Sequence, residues 1–373
     1  MSENPLTRLE ALGQSIWIDY IRRDLIRSGA LRRLVHEDGI SGMTSNPAIF
    51  EKAIRGSDDY DDDIRAMSAE GRGVLDIYEA LIIRDVQDAA DAFRGVYERT
   101  EGLDGYVSLE VNPHLANDTE GTIEEARRLW AALDRPNVFI KVPATLEGLP
   151  AIERLIGEGI NVNVTLLFGL PRYRRVAEAY IAGLEARASR GEPLDGIVSV
   201  ASFFVSRIDS LVDAILDELI AKGGDRGQAA GELRGETAVA SAKSAYQIYH
   251  EVFGGDRFQS VVGKGARPQR LLWASTSTKD PQYSDVKYVE TLIGPDTINT
   301  LPVETIDAYR DHGHPAVRID RDVAGADLVL RKLAAVGIDL DDVTRRLEEE
   351  GVEKFNQPFD KLLDTLEKAK ARC

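Results

Sequence analysis

Cysteine is almost absent. Cys373, at the last position, is the only one, so the chain can form no intrachain disulfide and offers no thiolate cluster to a metal. The five histidines, His36, His114, His250, His312 and His314, show no HExxH spacing, and no metal site is expected. No apolar run approaches the roughly 20 residues that a membrane helix needs, so no membrane partner is expected. The opening MSENPLTRLEALGQ lacks a basic head followed by an apolar core. No secretory leader is therefore expected, and the default compartment is the cytoplasm. Without secretion, Asn117-Asp-Thr119 and Asn163-Val-Thr165 are chance matches to the glycosylation pattern. Positive charge is in deficit: 46 basic residues stand against 63 acidic ones, a net charge of −17. Such a chain repels nucleic acid and anionic membrane, and any phosphate it binds must be held by a local basic site.

What is present is an ordinary globular composition, 43% hydrophobic and 29% charged, over 373 residues. That length suits one large α/β barrel with additions, or two medium domains. The most informative stretch is Asn137-Val-Phe-Ile-Lys-Val-Pro-Ala-Thr145. Its length, β-branched residues and proline stop favour a buried strand. Alternation turns Val138, Ile140 and Val142 one way and Phe139 and Lys141 the other. Either this strand has a wet face that lets Lys141 reach solvent, or Lys141 is a working amine in a pocket. Burial and neighbours can drive such an amine towards its neutral, nucleophilic form.

Seven other segments read as strands: residues 15–19, 40–46, 106–113, 160–168, 196–204, 270–276 and 296–302. Helical patterns follow each of them. Among these are a long amphipathic helix over 75–99, one capped by Thr122, one from Pro171 to about Ser189, and one over 283–293. The acidic run 58–63 reads as a solvated face. Residues 223–236 read as a surface loop within a helical insertion at about 223–268, and about 322–373 as a helical extension of roughly three helices. Eight strands, each followed by a helix, predict a single (β/α)₈ TIM barrel with added helices in the connection between the sixth and seventh strands and at the C-terminus. A doubly wound sheet would carry a Gly-rich phosphate turn after its first strand, and none is there.

The strands have one apolar face. The other carries Asp19, Thr44, Asn46, Glu110, Asn112, Lys141, Asn161, Asn163, Thr165 and Ser202. Outward faces pack on helices and must be apolar, so this polar set is expected to point into the barrel. Most of it lies towards the C-terminal strand ends, where barrel enzymes keep their active sites. Burying Asp19, Glu110 and Lys141 together is costly unless they are paired, and apolar packing would fill a barrel at least as well. An amine with two carboxylates and hydroxyls suits Schiff-base chemistry. No serine or cysteine nucleophile is paired with a histidine; His114 follows the third strand without such a partner.

The segments Trp-Ile-Asp19, Gly-Met-Thr-Ser-Asn46-Pro, Val-Ser-Leu-Glu110-Val-Asn-Pro, Ile-Lys141-Val-Pro-Ala-Thr, Ile-Asn-Val-Asn163-Val-Thr165-Leu-Leu-Phe and Val-Ala-Ser202-Phe-Phe-Val-Ser-Arg207-Ile-Asp occur in that order. In them the sequence resembles the transaldolase family, in the longer form found in many bacteria. The similarity continues through Trp-Ala-Ser275-Thr-Ser277-Thr-Lys279 and Thr-Ile-Asn-Thr-Leu-Pro. The resemblance implies transfer of a dihydroxyacetone unit from sedoheptulose 7-phosphate to glyceraldehyde 3-phosphate, in the pentose phosphate pathway, with no cofactor. It implies that Lys141 forms the Schiff base with the ketose phosphate and that Asp19 moves the proton in carbon–carbon cleavage. Glu110 and Thr165 would hold a catalytic water. Asn46, Asn163 and Ser202 would bind the enamine hydroxyls, with Thr44 counted beside them. Arg207 matches the first phosphate ligand. Shorter members have an arginine in the strand-seven segment, where this chain has Ser275, Ser277 and Lys279, so one of these must supply the second ligand. A lysine and an arginine fork are not equivalent there.

Three rival readings share parts of this pattern. The first is an aldolase of the fructose-6-phosphate type that releases free dihydroxyacetone. The second is a pyridoxal-phosphate barrel, and the third a non-catalytic sugar-phosphate binding barrel. The insertion and the extension favour the transferase, because they could cover the mouth and shield the enamine. Small sugar phosphates are the expected partners of a monomer or homodimer.

Overall fold

The computed structural model describes residues 4–370, so Cys373 lies outside the described residues. Eight strands form it: β1 Gln14–Asp19, β2 Ile40–Thr44, β3 Val107–Glu110, β4 Val138–Pro143, β5 Val162–Leu167, β6 Ser199–Phe204, β7 Arg270–Ala274 and β8 Thr297–Leu301. They pair in sequence order, all parallel, and β8 returns to β1 to close the barrel. This is the expected (β/α)₈ architecture. Parallel strands buried on both faces have no edge to expose.

Register decides which side chains meet. Glu110 lies beside Lys141, and Lys141 beside Asn163, across β3, β4 and β5. Asp19 lies beside Thr44 across β1 and β2. Two residues earlier on the same inward faces come Phe139 and Trp17, whose ring centroids are 6.2 Å apart, with Tyr106 4.5 Å from Phe139. The barrel interior is therefore an aromatic layer with a polar layer above it. Gly42 makes room for the aromatic layer, since a Cβ there would stand 2.5 Å from the Trp17 ring.

Several local expectations give way to tertiary context. Residues 224–231 of the expected loop form a helix, Gly224–Gly231, packed on Ser206–Lys222. The helix expected over 283–293 shrinks to Lys287–Glu290. The helix assigned to a Thr122 cap begins at Thr119, because the Asp118 side chain accepts from Gly121 N. The C-terminal region holds two helices rather than three, Val323–Ala335 and Leu340–Lys370. The second, the mouth helix, runs through Pro358 because Leu347, Phe355, Phe359, Leu362 and Leu366 keep one buried stripe across it. It lies against the helices Pro47–Arg55, Asp61–Ala69 and Val74–Arg99 at the C-terminal end of the barrel.

The acidic run is not simply solvated. Arg22 pairs with Asp59 at 2.8 Å and Arg23 with Asp63 at 2.7 Å. Arg23 also reaches Asp85 at 3.0 Å, and both side chains are almost fully buried, at 2% and 1% exposure. Tyr60 donates to the other Asp85 oxygen at 2.7 Å. This network fastens the segment after β1 to the helices behind it. Arg23→Met leaves Asp85 buried without its cation, and should cost about 3–5 kcal/mol of stability. Arg23→Met combined with Asp85→Leu should recover most of that loss. Urea unfolding of both variants checks this; equal midpoints for the single and double variants would contradict it.

Candidate active site

At the C-terminal end of the barrel a cavity of about 450 Å³ opens above the polar layer. Asp19, Thr44, Asn46, Lys141, Thr165, Ser202, Arg207, Ser275, Ser277 and Lys279 all line it. Lys141 is buried at its floor, 5% exposed. Its Nζ lies 3.2 Å from Glu110 Oε2 and donates at 3.0 Å to the carbonyl of Ser45. The Lys141–Glu110 contact is off-axis for a hydrogen bond, so Oε2 is left without an aligned donor. Burial raises the Glu110 carboxyl above its usual range, and the Lys141 charge only partly opposes this. Glu110 does not itself line the cavity; it stands behind the amine. The Thr165 hydroxyl is also buried without a hydrogen-bond partner among the described residues. Two buried oxygens, Glu110 Oε2 and Thr165 Oγ1, thus lack a hydrogen-bond partner among the described residues, and buried polar atoms of this kind are commonly satisfied by an ordered water.

Asp19 accepts from Thr44 Oγ1 at 2.7 Å, and Thr44 Oγ1 lies 2.6 Å from Thr300 Oγ1. A hydroxyl has one proton, so if Thr44 donates to Asp19 it must accept from Thr300. Burial raises the Asp19 carboxyl. The Thr44 hydrogen bond and the charges of Lys141 and Arg207 counter it without cancelling it, and Glu304 adds to the rise.

Asn46 is the N-cap of the helix Pro47–Arg55, its Oδ1 accepting from Ile49 N at 3.0 Å. Its amide N–H groups are left for a ligand. Asn163 is wholly buried and does not reach the cavity. Its Nδ2 donates to Ser108 Oγ at 3.0 Å and its Oδ1 accepts from Ser202 Oγ at 2.7 Å, so it holds Ser202, which does line the cavity. Two members of the expected polar set are structural. The Asn112 side chain caps Pro113–Leu115 by accepting from His114 N, and Asn161 accepts from Val198 N at the far end of β5. His114 instead pairs with Asp360 of the mouth helix at 2.7 Å.

Arg207 stands in the first turn of Ser206–Lys222. Its guanidinium is 5.3 Å from the Phe204 ring, and Nη1 is buried without a partner. The surface pairing that would explain it away is not formed. Asp209 accepts from Ala238 N, Lys287 and Tyr288, and Asp213 from Gly235 N and Tyr283. Ser275 has a left-handed backbone, φ +54°, and its carbonyl accepts from Ser206 N at 3.0 Å. Leu166, directly after Thr165, has φ +54° as well. For residues other than glycine such conformations cost about 1–3 kcal/mol and persist where the surroundings enforce them, commonly at functional sites. Lys279 is exposed and donates to Ser277 Oγ at 2.5 Å. Among the described residues no group of three or more His, Cys, Asp or Glu side chains is gathered to cage a cation.

The model of the transaldolase/fructose-6-phosphate aldolase family matches residues 16–366. The chain belongs to this family. It is similar to a transaldolase of Trichodesmium erythraeum, 51% identical over 371 residues and 98% of each chain. A transaldolase of Thiobacillus denitrificans is 50% identical over 352 residues, covering 94% of this chain and 96% of its own. One from Saccharopolyspora erythraea is 49% identical over 366 residues, covering 96% and 97%.

Some lining residues of this family member went unread in the sequence. Thr300 shares the inward face of β8, two residues after Ile298, and alternation alone could have found it. Lys52 lies one turn beyond Ala48 on Pro47–Arg55, facing the cavity. Phe355 comes from the mouth helix, some 200 positions after Lys141 in the chain, and has no local signal. The insertion at about 223–268, expected to cover the mouth, contributes nothing to the cavity lining. It packs on the outer helices instead, Thr237–Gly254 against Leu170–Ser189 and Val323–Ala335.

The raised carboxyl of Asp19 has a measurable consequence. Because its folded value lies above the unfolded one, the wild-type protein gives up stability as pH rises through the folded value. Asp19→Asn cannot ionise and keeps its hydrogen-bond acceptor for Thr44. The variant's thermal midpoint should match the wild type near pH ~4, where the free carboxyl is half protonated, and exceed it once the pH has risen above that value, as it does by pH ~8. Calorimetry across that range checks this. A gap that stays constant or favours the wild type at pH ~8 would show that the charge of Asp19 is stabilised, not strained.

Proposed function

We propose that this chain is a transaldolase whose Schiff base forms on Lys141, and that it moves a dihydroxyacetone unit from a ketose phosphate to an aldose phosphate. The observation that carries the reading is the single buried amine, 3.2 Å from Glu110, at the floor of a cavity that Asp19 also lines. On this reading Lys141 attacks the ketone carbon of sedoheptulose 7-phosphate. Glu110, its affinity for a proton raised by burial, takes a proton from the amine side and returns one, through a water held with Thr165, to expel the carbinolamine hydroxyl. Asp19 then removes the proton of the hydroxyl next to the scissile bond. The bond breaks, its electron pair moves towards the iminium nitrogen, and erythrose 4-phosphate leaves. Glyceraldehyde 3-phosphate enters and the steps reverse to give fructose 6-phosphate, with Asp19 returning its proton to the new hydroxyl. The chemistry needs no cofactor.

Ser202, held by Asn163, and the free amide of Asn46 suit the hydroxyls of the three-carbon unit. Arg207 suits the phosphate: it lies at a helix start, on the mouth side, with a buried N–H that no group among the described residues accepts. Ser275, Ser277 and Lys279 line the neighbouring wall and would complete the phosphate site. We place the activity in the non-oxidative branch of the pentose phosphate pathway and in the cytoplasm. Among the described residues no helix is long and apolar enough to cross a membrane.

Borohydride with fructose 6-phosphate should add one reduced three-carbon unit to Lys141, read by mass spectrometry. Lys141→Arg should abolish both the adduct and transfer; a retained adduct would move the nucleophile elsewhere. Arg207→Ala should raise KM for phosphorylated ketoses by about 10²-fold, the loss of a charge-assisted contact of some 2–3 kcal/mol. Its effect on the slow reaction with unphosphorylated fructose should be under about threefold. Equal losses with both substrates would assign Arg207 to the fold instead.

A further inference from the structure

The mouth helix does more than cover the barrel. Its Phe355 is buried, lines the cavity, and places its ring centroid 5.9 Å from Lys141 Nζ. This position is fixed from both sides. Before it, Glu348 pairs at 3.1 Å with Arg172, which also donates to the carbonyl of Ala144 just after β4. Gly351 lies close against Leu166, the residue with left-handed backbone next to Thr165. After it, Phe359 meets Tyr78 edge-on at 5.3 Å, Asp360 pairs with His114 at 2.7 Å and Lys361 with Glu51 at 3.1 Å. The helix is fastened to five separate parts of the barrel and its helices, with Phe355 between the fastenings.

Resting on the Schiff-base reading above, we infer that Phe355 decides the fate of the enamine, keeping it for the acceptor aldehyde rather than for water. The enamine carbon lies two bonds from Nζ. In transfer, its electron pair forms the new carbon–carbon bond with the acceptor carbonyl carbon, whose oxygen takes a proton from Asp19. In loss, the same carbon takes a proton delivered through water. Water then adds to the iminium carbon, the Lys141 amine departs, and free dihydroxyacetone is released. Both routes start from one intermediate, so the one with access wins. When the first aldose leaves, the cavity must fill with solvent or acceptor, and an apolar ring beside the nitrogen denies solvent its approach there. The ring face also favours the cationic iminium over a neutral amine. That effect acts on formation of the intermediate and leaves its partition alone, so the two roles separate by experiment.

The experiment supplies fructose 6-phosphate and erythrose 4-phosphate and measures sedoheptulose 7-phosphate against free dihydroxyacetone from the same turnovers. Phe355→Ala should lower that ratio by roughly tenfold or more while the borohydride adduct on Lys141 still forms. Phe355→Leu, which keeps the apolar cover and removes the ring face, should leave the ratio within about twofold of wild type and slow adduct formation. A general loss of folded enzyme lowers both products together and cannot change the ratio. If Phe355→Ala does not fold, Phe355→Val is held to the same criterion. An unchanged ratio in the truncated variant overturns the inference, as does an equal shift in Phe355→Leu. Failure of the wild-type enzyme to form the adduct would instead overturn the Schiff-base reading, a distinguishable result.

Discussion

The structure depends on one unfavourable arrangement being tolerated: an amine and two carboxylates inside a closed barrel. Lys141 and Glu110 are buried, and Asp19, on the cavity wall, is partly so. A well-matched ion pair would use its geometry fully, and this one does not. Lys141 gives its good hydrogen bond to the Ser45 carbonyl and meets Glu110 off-axis. Removing ions from water costs several kcal/mol each, and attraction repays this only when the geometry is good. Burial leaves both carboxyls raised above their usual range, the direction in which acid–base groups are tuned, and the Lys141 charge opposes it only in part. The remaining stability is supplied around the triad, by the aromatic layer beneath it and the apolar outer faces of the strands.

Why the barrel holds these groups in place follows from register. Parallel pairing puts Glu110, Lys141 and Asn163 in one row and Asp19 and Thr44 in another. A slip of one residue would exchange every inward side chain for an outward one. The closed sheet has no free edge along which to slip, so backbone hydrogen bonds set the distances between these groups. Loops adjust only the periphery. Even there the left-handed residues Leu166 and Ser275 show the chain bent to a fixed shape at the ends of β5 and β7.

How much of this was legible in the sequence divides along physical lines. Period-two alternation is local, and it located Asp19, Thr44, Lys141, Thr165 and Ser202 on inward faces at the right ends of their strands. It could not tell an inward polar residue that lines the cavity from one that supports it. Asn163 and Glu110 stand behind Ser202 and Lys141, and Asn112 turns aside to cap a short helix. Propensity failed where packing outweighs it. Gly-rich residues 224–231 are helical because they pack on the neighbouring helix, and Pro358 does not end a helix held along its whole apolar stripe. The acidic run gave no sign of Arg23, since an ion pair between residues 23 and 85 has no sequence period.

Phe355 belongs with these long-range features, and on the inference drawn above it would explain why one fold can serve two outcomes. The family's description joins transaldolases and fructose-6-phosphate aldolases, and on the proposed Schiff-base reading the two reactions would share an intermediate and differ in what reaches it. The groups that make the intermediate sit on strands, where small changes in sequence cannot move them far. The group beside the nitrogen arrives on a helix fastened from outside, through Arg172, Tyr78, His114 and Glu51. On the same reading bond making is fixed by the barrel, while exclusion of water falls to an element that can vary without disturbing the register. On that division, the choice between transfer and release is a property of the mouth, and the rate of Schiff-base formation a property of the floor.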